Sequence, residues 1–469
     1  MLISGHRKDN CTAAILLFIL LFYIMILTGC NSSGGEEESA EDPPETSQTA
    51  DPEQWIMHRI KHLDAEGLLI PQVSAKQGSD GNIRIAYFSD GTDFGTENRY
   101  DINYLVWDPE ADEILSEEIL NPQPPDSGGV GLDNCNPLSL VLDNLDHPII
   151  AYQGGFYRDQ GPSDGEQSDI MFSIRGEQGW TEYMGAMGYV TRNPFYDGLA
   201  GSDLSAAVDS EGDVHIGYQF YYEGMDSYNF NYPDLDYVKR EAYSLDNTVS
   251  DSDWANIEET VYGSTITQTS AVHRGTGYNC RLLLDSSDSP VVFFSESTDY
   301  SSTYGLWFAR RNSNGDWDRQ WVEQVNSGWA IGDISAAMAP NGTLAVAYTK
   351  ICLSCDHDEG DHLKYAVQSG NTWDVQVVDE SSICGHNPSL AFDSQGNPAI
   401  AYYDRQSHSG HNRRYLKFVQ RNGAVWSSET VIEDYDFGHH NSLWFDAGDK
   451  PFISSYSETA DDIAVFEKQ

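Results

Sequence analysis

From residue 388 the chain runs Pro388-Ser-Leu-Ala-Phe-Asp393-Ser-Gln-Gly396-Asn-Pro-Ala-Ile-Ala-Tyr402. After a polar stretch come Tyr415-Leu-Lys-Phe-Val-Gln-Arg421, Asn422-Gly423, Trp426 and Glu429-Thr-Val-Ile432. Apolar and polar side chains alternate in short runs, and clusters of Asp, Asn and Gly break them. A period of two between turn residues is the mark of antiparallel strands, and Asn-Gly favours a tight hairpin. The pattern therefore predicts strand, tight turn, strand, long loop, strand, tight turn, strand.

The same unit recurs along the chain. Its second strand is predicted to end at Tyr87, Tyr152, Tyr218, Phe294, Tyr348, Tyr402 and Ser455, spaced 65, 66, 76, 54, 54 and 53 residues apart. The turn aspartate returns as Asp143, Asp209, Asp285, Asp393 and Asp446. Third strands read INYLVW, IMFSIR, LDYVKR, LWFARR, LKYAVQ, LKFVQR and IAVFEK. Four-strand repeats of this length are propeller blades. The seventh unit stops after its third strand, at Gln469, whereas Gln54-Trp55-Ile-Met-His-Arg-Ile60 carries the tryptophan and alternation of a fourth strand. The prediction is an all-β, single seven-bladed propeller over residues 54–469, its ring closed by the N-terminal strand, which removes an open sheet edge.

The turns Ser313-Asn-Gly-Asp-Trp317, Ser369-Gly-Asn-Thr-Trp373 and Asn422-Gly-Ala-Val-Trp426 resemble worn-down Asp boxes, the turn motif of sialidase-like propellers. The resemblance implies the fold. It does not imply sialidase activity, because the sequence lacks an Arg-Ile-Pro element near the first blade and three blade-borne arginines.

Ahead of the repeats, His6, Arg7 and Lys8 precede an apolar run from Ala13 to Leu27 that ends in Leu27-Thr28-Gly29-Cys30. The run is short for a membrane span and suits a signal peptide, residues 1–29. Its end resembles the lipobox of bacterial lipoproteins, which implies lipid attachment at Cys30. Asn31 after the cysteine implies sorting to the outer membrane, facing the periplasm or the cell exterior. Residues 30–53 are acidic, proline-containing and nearly free of apolar side chains, the composition of an extended tether. The formal charge of −48, from 74 acidic and 26 basic residues, excludes nucleic acid and anionic lipid headgroups as primary partners.

Candidate chemistry gathers on the face that holds the loops after the second strands, read as 89–100, 153–168, 219–235, 295–305, 349–362 and 404–414. Elaborated loops on a rigid scaffold mark a working surface. Tyr157, Tyr221, Tyr222 and Tyr232 in these loops offer flat faces for a sugar or a protein partner. Blade 5 contributes Cys352-Leu-Ser-Cys355-Asp356-His357-Asp358 and Asp361; blade 6 contributes Cys384, His386, His411, Arg413 and Arg414; blade 7 contributes His439 and His440. Three readings of the cysteine loop stand open. One is a disulfide from Cys384 to Cys352 or Cys355, as suits a secreted chain. The others are zinc on Cys352, Cys355 and His357 and calcium on Asp356, Asp358 and Asp361. Cys135 and Cys280, at the starts of first strands in non-adjacent blades, are expected as free, buried thiols. The leading functional reading is a binding or scaffold module for a glycan or protein. The alternative follows from Gly385-His386-Asn-Pro-Ser-Leu-Ala-Phe-Asp393 with Ser409-Gly410-His411, which resembles propeller-type polysaccharide lyases. That resemblance implies His386 and His411 as base and acid, with Arg413 or Arg414 clamping a carboxylate.

Overall fold

The first-strand turns set the register of each blade. In blade 6 the Asp393 carboxylate accepts the backbone N–H of Gln395 at 3.0 Å and of Asn397 at 2.8 Å. Its backbone N–H also donates to the Asn397 carbonyl. The fourth turn position lies in the left-handed region: Gly212 at φ 92°, Gly342 at 81° and Gly396 at 83°, with Asp146, Asp288 and Asp449 near 60° elsewhere. Only Gly, Asn and Asp adopt that conformation cheaply, which is why these residues punctuate the repeats.

The computed structural model describes residues 55–63, 72–90, 100–120, 137–154, 169–176, 179–186, 197–223, 233–240, 258–262, 265–266, 273–298, 304–326, 328–353, 360–381, 383–408, 411–433 and 435–469. Residues 1–54, which include Cys30 and the segment read from sequence as a tether, lie outside this set. The described strands form seven antiparallel sheets. Blades 1 to 6 span 73–120, 138–186, 197–262, 265–325, 329–379 and 383–433. Blade 7 combines 437–468 with the N-terminal strand Trp55–His62. Trp55 pairs with Lys468 and His62 with Asp462, so the chain's first described strand is the fourth strand of its last blade. Blade 4 gains a two-residue strand, Thr265–Ile266, beside its first strand.

Seven apolar clusters sit between consecutive sheets, one at each junction of the ring. The blade 7–blade 1 cluster includes Ile60 from the N-terminal strand with Val73, Trp107 and Val465. Fourth-strand tryptophans meet third-strand aromatics of the preceding blade edge-on. The pairs are Trp180 with Tyr104, Trp317 with Tyr237, Trp373 with Phe308, Trp426 with Tyr365 and Trp55 with Phe418, all with ring centres 5.1–5.3 Å apart. Edge-to-face packing of this kind adds about 0.5–1.5 kcal/mol to simple burial.

A second belt lines the channel. Ser74, Ser139, Ser205, Ser335, Ser389 and Ser442 each accept, through the hydroxyl, a backbone N–H from the first strand of the next blade, at 2.8–3.2 Å. Blade 4 carries Arg281 at this position instead.

The tyrosines read as second-strand ends are mid-strand in the fold. Tyr402 lies within Pro398–His408 and Tyr218 within Val214–Glu223. Their hydroxyls are structural where blade edges offer a carboxylate: Tyr87 donates to Glu117 and Tyr402 to Asp379, each at 2.6 Å.

Candidate binding site at the channel mouth

Each of five consecutive first strands breaks its pairing near the long-loop end of the channel. Register shifts fall at 200/204, 278/281, 331/334, 386/389 and 439/442. Such bulges re-aim side chains at a sheet edge. The residues they present are equivalent, six positions before the turn: Asp203, Asn279, Asp333, Asn387 and His440. Asn279, Asn387 and His440 take positive φ angles of 54°, 46° and 49°.

These bulges join into an arc. The Asp203 carboxylate accepts the backbone N–H of Asn279. Asp333 accepts that of Asn387 at 2.9 Å. The Asn387 side-chain oxygen takes the His440 N–H at 3.5 Å, and the Asn441 amide donates to the Asn387 carbonyl at 2.9 Å. The Asn441 side-chain oxygen is buried with no hydrogen-bond partner among the described residues. His386, one residue before Asn387, places Nε2 2.8 Å from Asp361 and Nδ1 4.0 Å from Asp333.

The charges of the arc are sorted. Burial works against the His386 cation, yet the Asp361 hydrogen bond and the Asp333 carboxylate hold its pKa above the ordinary imidazole value. Burial drives His440 the other way, down to about 3, with His439 and Arg281 adding to the effect. Burial also lifts the Asp203 carboxyl to about 6, against the pull of Asn279 and Arg281. The arc thus holds in His386 an imidazole whose proton is favoured, in His440 an imidazole whose neutral form is favoured, and the guanidinium of Arg281. Together they offer donors, acceptors and proton carriers around one opening.

His386 and His439 are equivalent, as expected from sequence: they pair with Tyr403 and Tyr456 in their blades. His440, not His439, belongs to the channel arc; His439 turns to the Tyr403 ring, 4.7 Å away. Arg413 and Arg414 are already engaged, with Glu433 at 2.6 Å and with the buried Asp436. The reading of 404–414 as a loop is corrected. Residues 398–408 and 411–422 pair as adjacent antiparallel strands out to His408 and His411. The side chain of His411 lies outside the described residues. Tyr221 and Tyr222 belong to a strand rather than a loop, paired with Leu199 and Gly198. Tyr157, Tyr232, Cys355, Asp356, His357 and Asp358 lie outside the described residues.

The disulfide expectation for Cys384 is overturned: Cys384 is a free, buried thiol. Its Sγ sits beneath the sheet edge, donating toward the Asp361 and Asp379 carbonyls, and burial pushes the thiol up to about 12. Cys352 is disulfide-bonded to a partner outside the described residues. Cys280 is free and buried as expected. Asp361 serves the backbone N–H of Cys352 and the ring of His386, so it positions the mouth histidine. Sequence reading missed Asp203, Arg281 and Asp333. Their signal was present in the polar residue six positions before each turn and in the single arginine among the channel serines.

No family model and no curated protein matches the sequence. Among solved structures, the chain is similar to the polysaccharide lyase Uly1, at 8% identity and a TM-score of 0.50, over 87% of this chain and 89% of that one. An α-L-arabinanase of Penicillium chrysogenum aligns at 10% identity and a TM-score of 0.45, over 90% and 98%. The NanB sialidase of Streptococcus pneumoniae aligns at 12% and 0.39, over 89% and 70%. At such identities the likeness is one of fold, and the fold is a seven-bladed β-propeller of four-stranded antiparallel blades.

Proposed function

We propose that the chain is a lipid-anchored cell-envelope protein, held at the outer membrane through Cys30, whose propeller binds a glycan at the channel mouth. The observation that carries the reading is the arc Asp203–Asn279–Asp333–Asn387–His440, flanked by Arg281 and His386. Alternating amide, carboxylate and imidazole groups on a rigid ring match the donor and acceptor pattern of sugar hydroxyls. The excess of carboxylates there and over the whole chain favours a neutral glycan over a polyanion. The fold shared with a polysaccharide lyase, and the similar arabinanase, accord with a carbohydrate ligand.

Glycan-array screening of the wild type, followed by calorimetry on the best binder, tests the site. The double variant His386→Ala/His440→Ala is expected to lose at least tenfold in affinity, about 1.4 kcal/mol. The triple variant Asn314→Ala/Gln395→Ala/Asn422→Ala, on the tight-turn face, is expected to bind as the wild type does. Equal affinity in all three proteins rejects the mouth.

A second reading, glycan cleavage, draws on one observation: the Asp361 hydrogen bond and the Asp333 carboxylate favour the proton on His386. A proton held at that atom suits the general acid that elimination or hydrolysis needs at the leaving oxygen. Product formation from the array hits separates cleavage from binding.

The anchor has its own test. Cys30→Ala is expected to move the protein from the detergent phase to the aqueous phase in phase partitioning; a variant that still enters detergent refutes lipidation there.

A further inference from the structure

Behind the channel arc, at the junction of blades 6 and 7, lies a group that the proposed glycan site does not use. Asp436 immediately precedes the first strand of blade 7, Phe437–Phe445, which carries His439; Glu458 follows the second strand, Pro451–Ser457. Their ligand atoms all lie within 4.8 Å of one another. Asp436 is buried and held from behind: its Oδ1 accepts the Tyr403 hydroxyl at 2.9 Å and its Oδ2 the Arg414 guanidinium.

The backbone is shaped to bring these groups together. Asp436 has φ 54° and Gly438 φ 125°. A Cβ at Gly438 would stand 2.7 Å from the Tyr403 ring, so only glycine permits this approach. The resulting bulge turns His439 onto the Tyr403 ring and inward, where 9% of the residue is exposed.

His439 Nε2 is the telling atom. It is buried and has no hydrogen-bond partner among the described residues. It stands 3.6 Å from Asp436 Oδ1 and 3.9 Å from Glu458 Oε1. Both gaps exceed a hydrogen bond, which would close to about 2.9 Å. Two ligands about 2.1 Å from a tetrahedral metal stand about 3.4 Å apart, close to the observed spacing.

We infer that Asp436, His439 and Glu458 form a divalent-cation site, taking a zinc-class ion through one imidazole nitrogen and two carboxylate oxygens. One nitrogen with two oxygens selects a first-row ion such as Zn²⁺ over Ca²⁺, which prefers oxygen alone. Glu458 is half-exposed and supplies the entry side. Arg414 and Tyr403 act as the outer hydrogen-bonding shell that orients Asp436.

The test is zinc titration of the full chain after chelator stripping, read by calorimetry and elemental analysis. One Zn²⁺ per chain is expected, with added zinc raising the melting temperature. Glu458→Gln, whose side chain reaches solvent and leaves the fold intact, is expected to weaken zinc binding at least tenfold and to abolish the thermal shift. His439→Ala should do the same, while His357→Ala, in the cysteine loop, should bind as the wild type does. Wild-type affinity in Glu458→Gln overturns the site, as does loss of binding in His357→Ala alone or a response to Ca²⁺ but not to Zn²⁺. Glycan affinity unchanged by Glu458→Gln would leave the mouth reading standing whatever the zinc result.

Discussion

Deleting residues 31–63 is expected to destabilise the protein by on the order of 5 kcal/mol, whereas deleting residues 31–50 leaves the melting temperature nearly unchanged. The longer deletion removes the whole Trp55–His62 ladder from Lys468 back to Asp462. It takes away the Trp55 ring that packs on Phe418 at 5.2 Å and donates to Glu429 at 3.0 Å. It also strips Ile60 and Leu63 from the cluster that joins blade 7 to blade 1. Losing one large apolar group from such a core costs about 2–5 kcal/mol, and here several go together while a sheet edge opens. The outcome is read by thermal melts of the two truncations side by side. Coincident melts would refute closure by this strand.

A second large effect is expected at Lys417→Met in blade 6. Asp404 is fully buried, and its Oδ2 accepts from Lys417 Nζ and from Gln406 at 3.0 Å. Its Oδ1 has no hydrogen-bond partner among the described residues. Removing the lysine leaves a buried carboxylate without a counter-charge, a change that costs about 3–5 kcal/mol. The pH dependence has a definite sign. Burial, opposed by Lys417, already raises the Asp404 pKa. A group raised on folding favours the folded state at low pH and loses that contribution as pH climbs through its folded value. Without Lys417 the value rises further, so the gap between variant and wild type should narrow on acidification from pH 7 toward pH 5. The double variant Asp404→Asn/Lys417→Met should recover most of the loss. Chemical denaturation at both pH values decides it; a pH-independent gap would show that packing, not the stranded charge, sets the loss.

The architecture was readable because each of its rules is local and repeated. A turn aspartate that caps two backbone N–H groups, a left-handed Gly or Asp three positions later and a fourth-strand tryptophan each leave a mark on the sequence. The turn aspartate and the tryptophan each recur in five of the seven blades, which makes those marks hard to miss. Trp55 could be assigned to blade 7 for the same reason.

The mouth was harder because its rules are relational. Ser389 or Ser442 alone says nothing; only the ring shows that each hydroxyl braces the next blade and that Arg281 interrupts the series. The extended strand pair of blade 6 carries polar residues on both faces from Arg405 to His408, so the period-two signal vanishes where the strand leaves the core. Cys384 looked available to Cys352 because both lie near loops. In the fold its sulfur points into the seam between blades 5 and 6, under two carbonyls, as a free, buried thiol. His439 and His440 are adjacent in sequence, and only the bulge after Gly438 sends one inward and the other toward the channel.

The pairing of Trp55 with Lys468 carries a mechanical consequence. Third strands run toward the tight-turn side, so Lys468 ends there and the chain enters the propeller at Trp55 on that same side, opposite the channel mouth. If Cys30 were lipidated, as proposed, a tug on the protein would load the closing ladder lengthwise. All of its rungs then share the force in shear, instead of unzipping one by one. Because Trp55 also hooks Glu429 in the neighbouring blade, part of that load passes to blade 6 before the ladder yields. The strand that would bear such a pull is thus stitched across two blades.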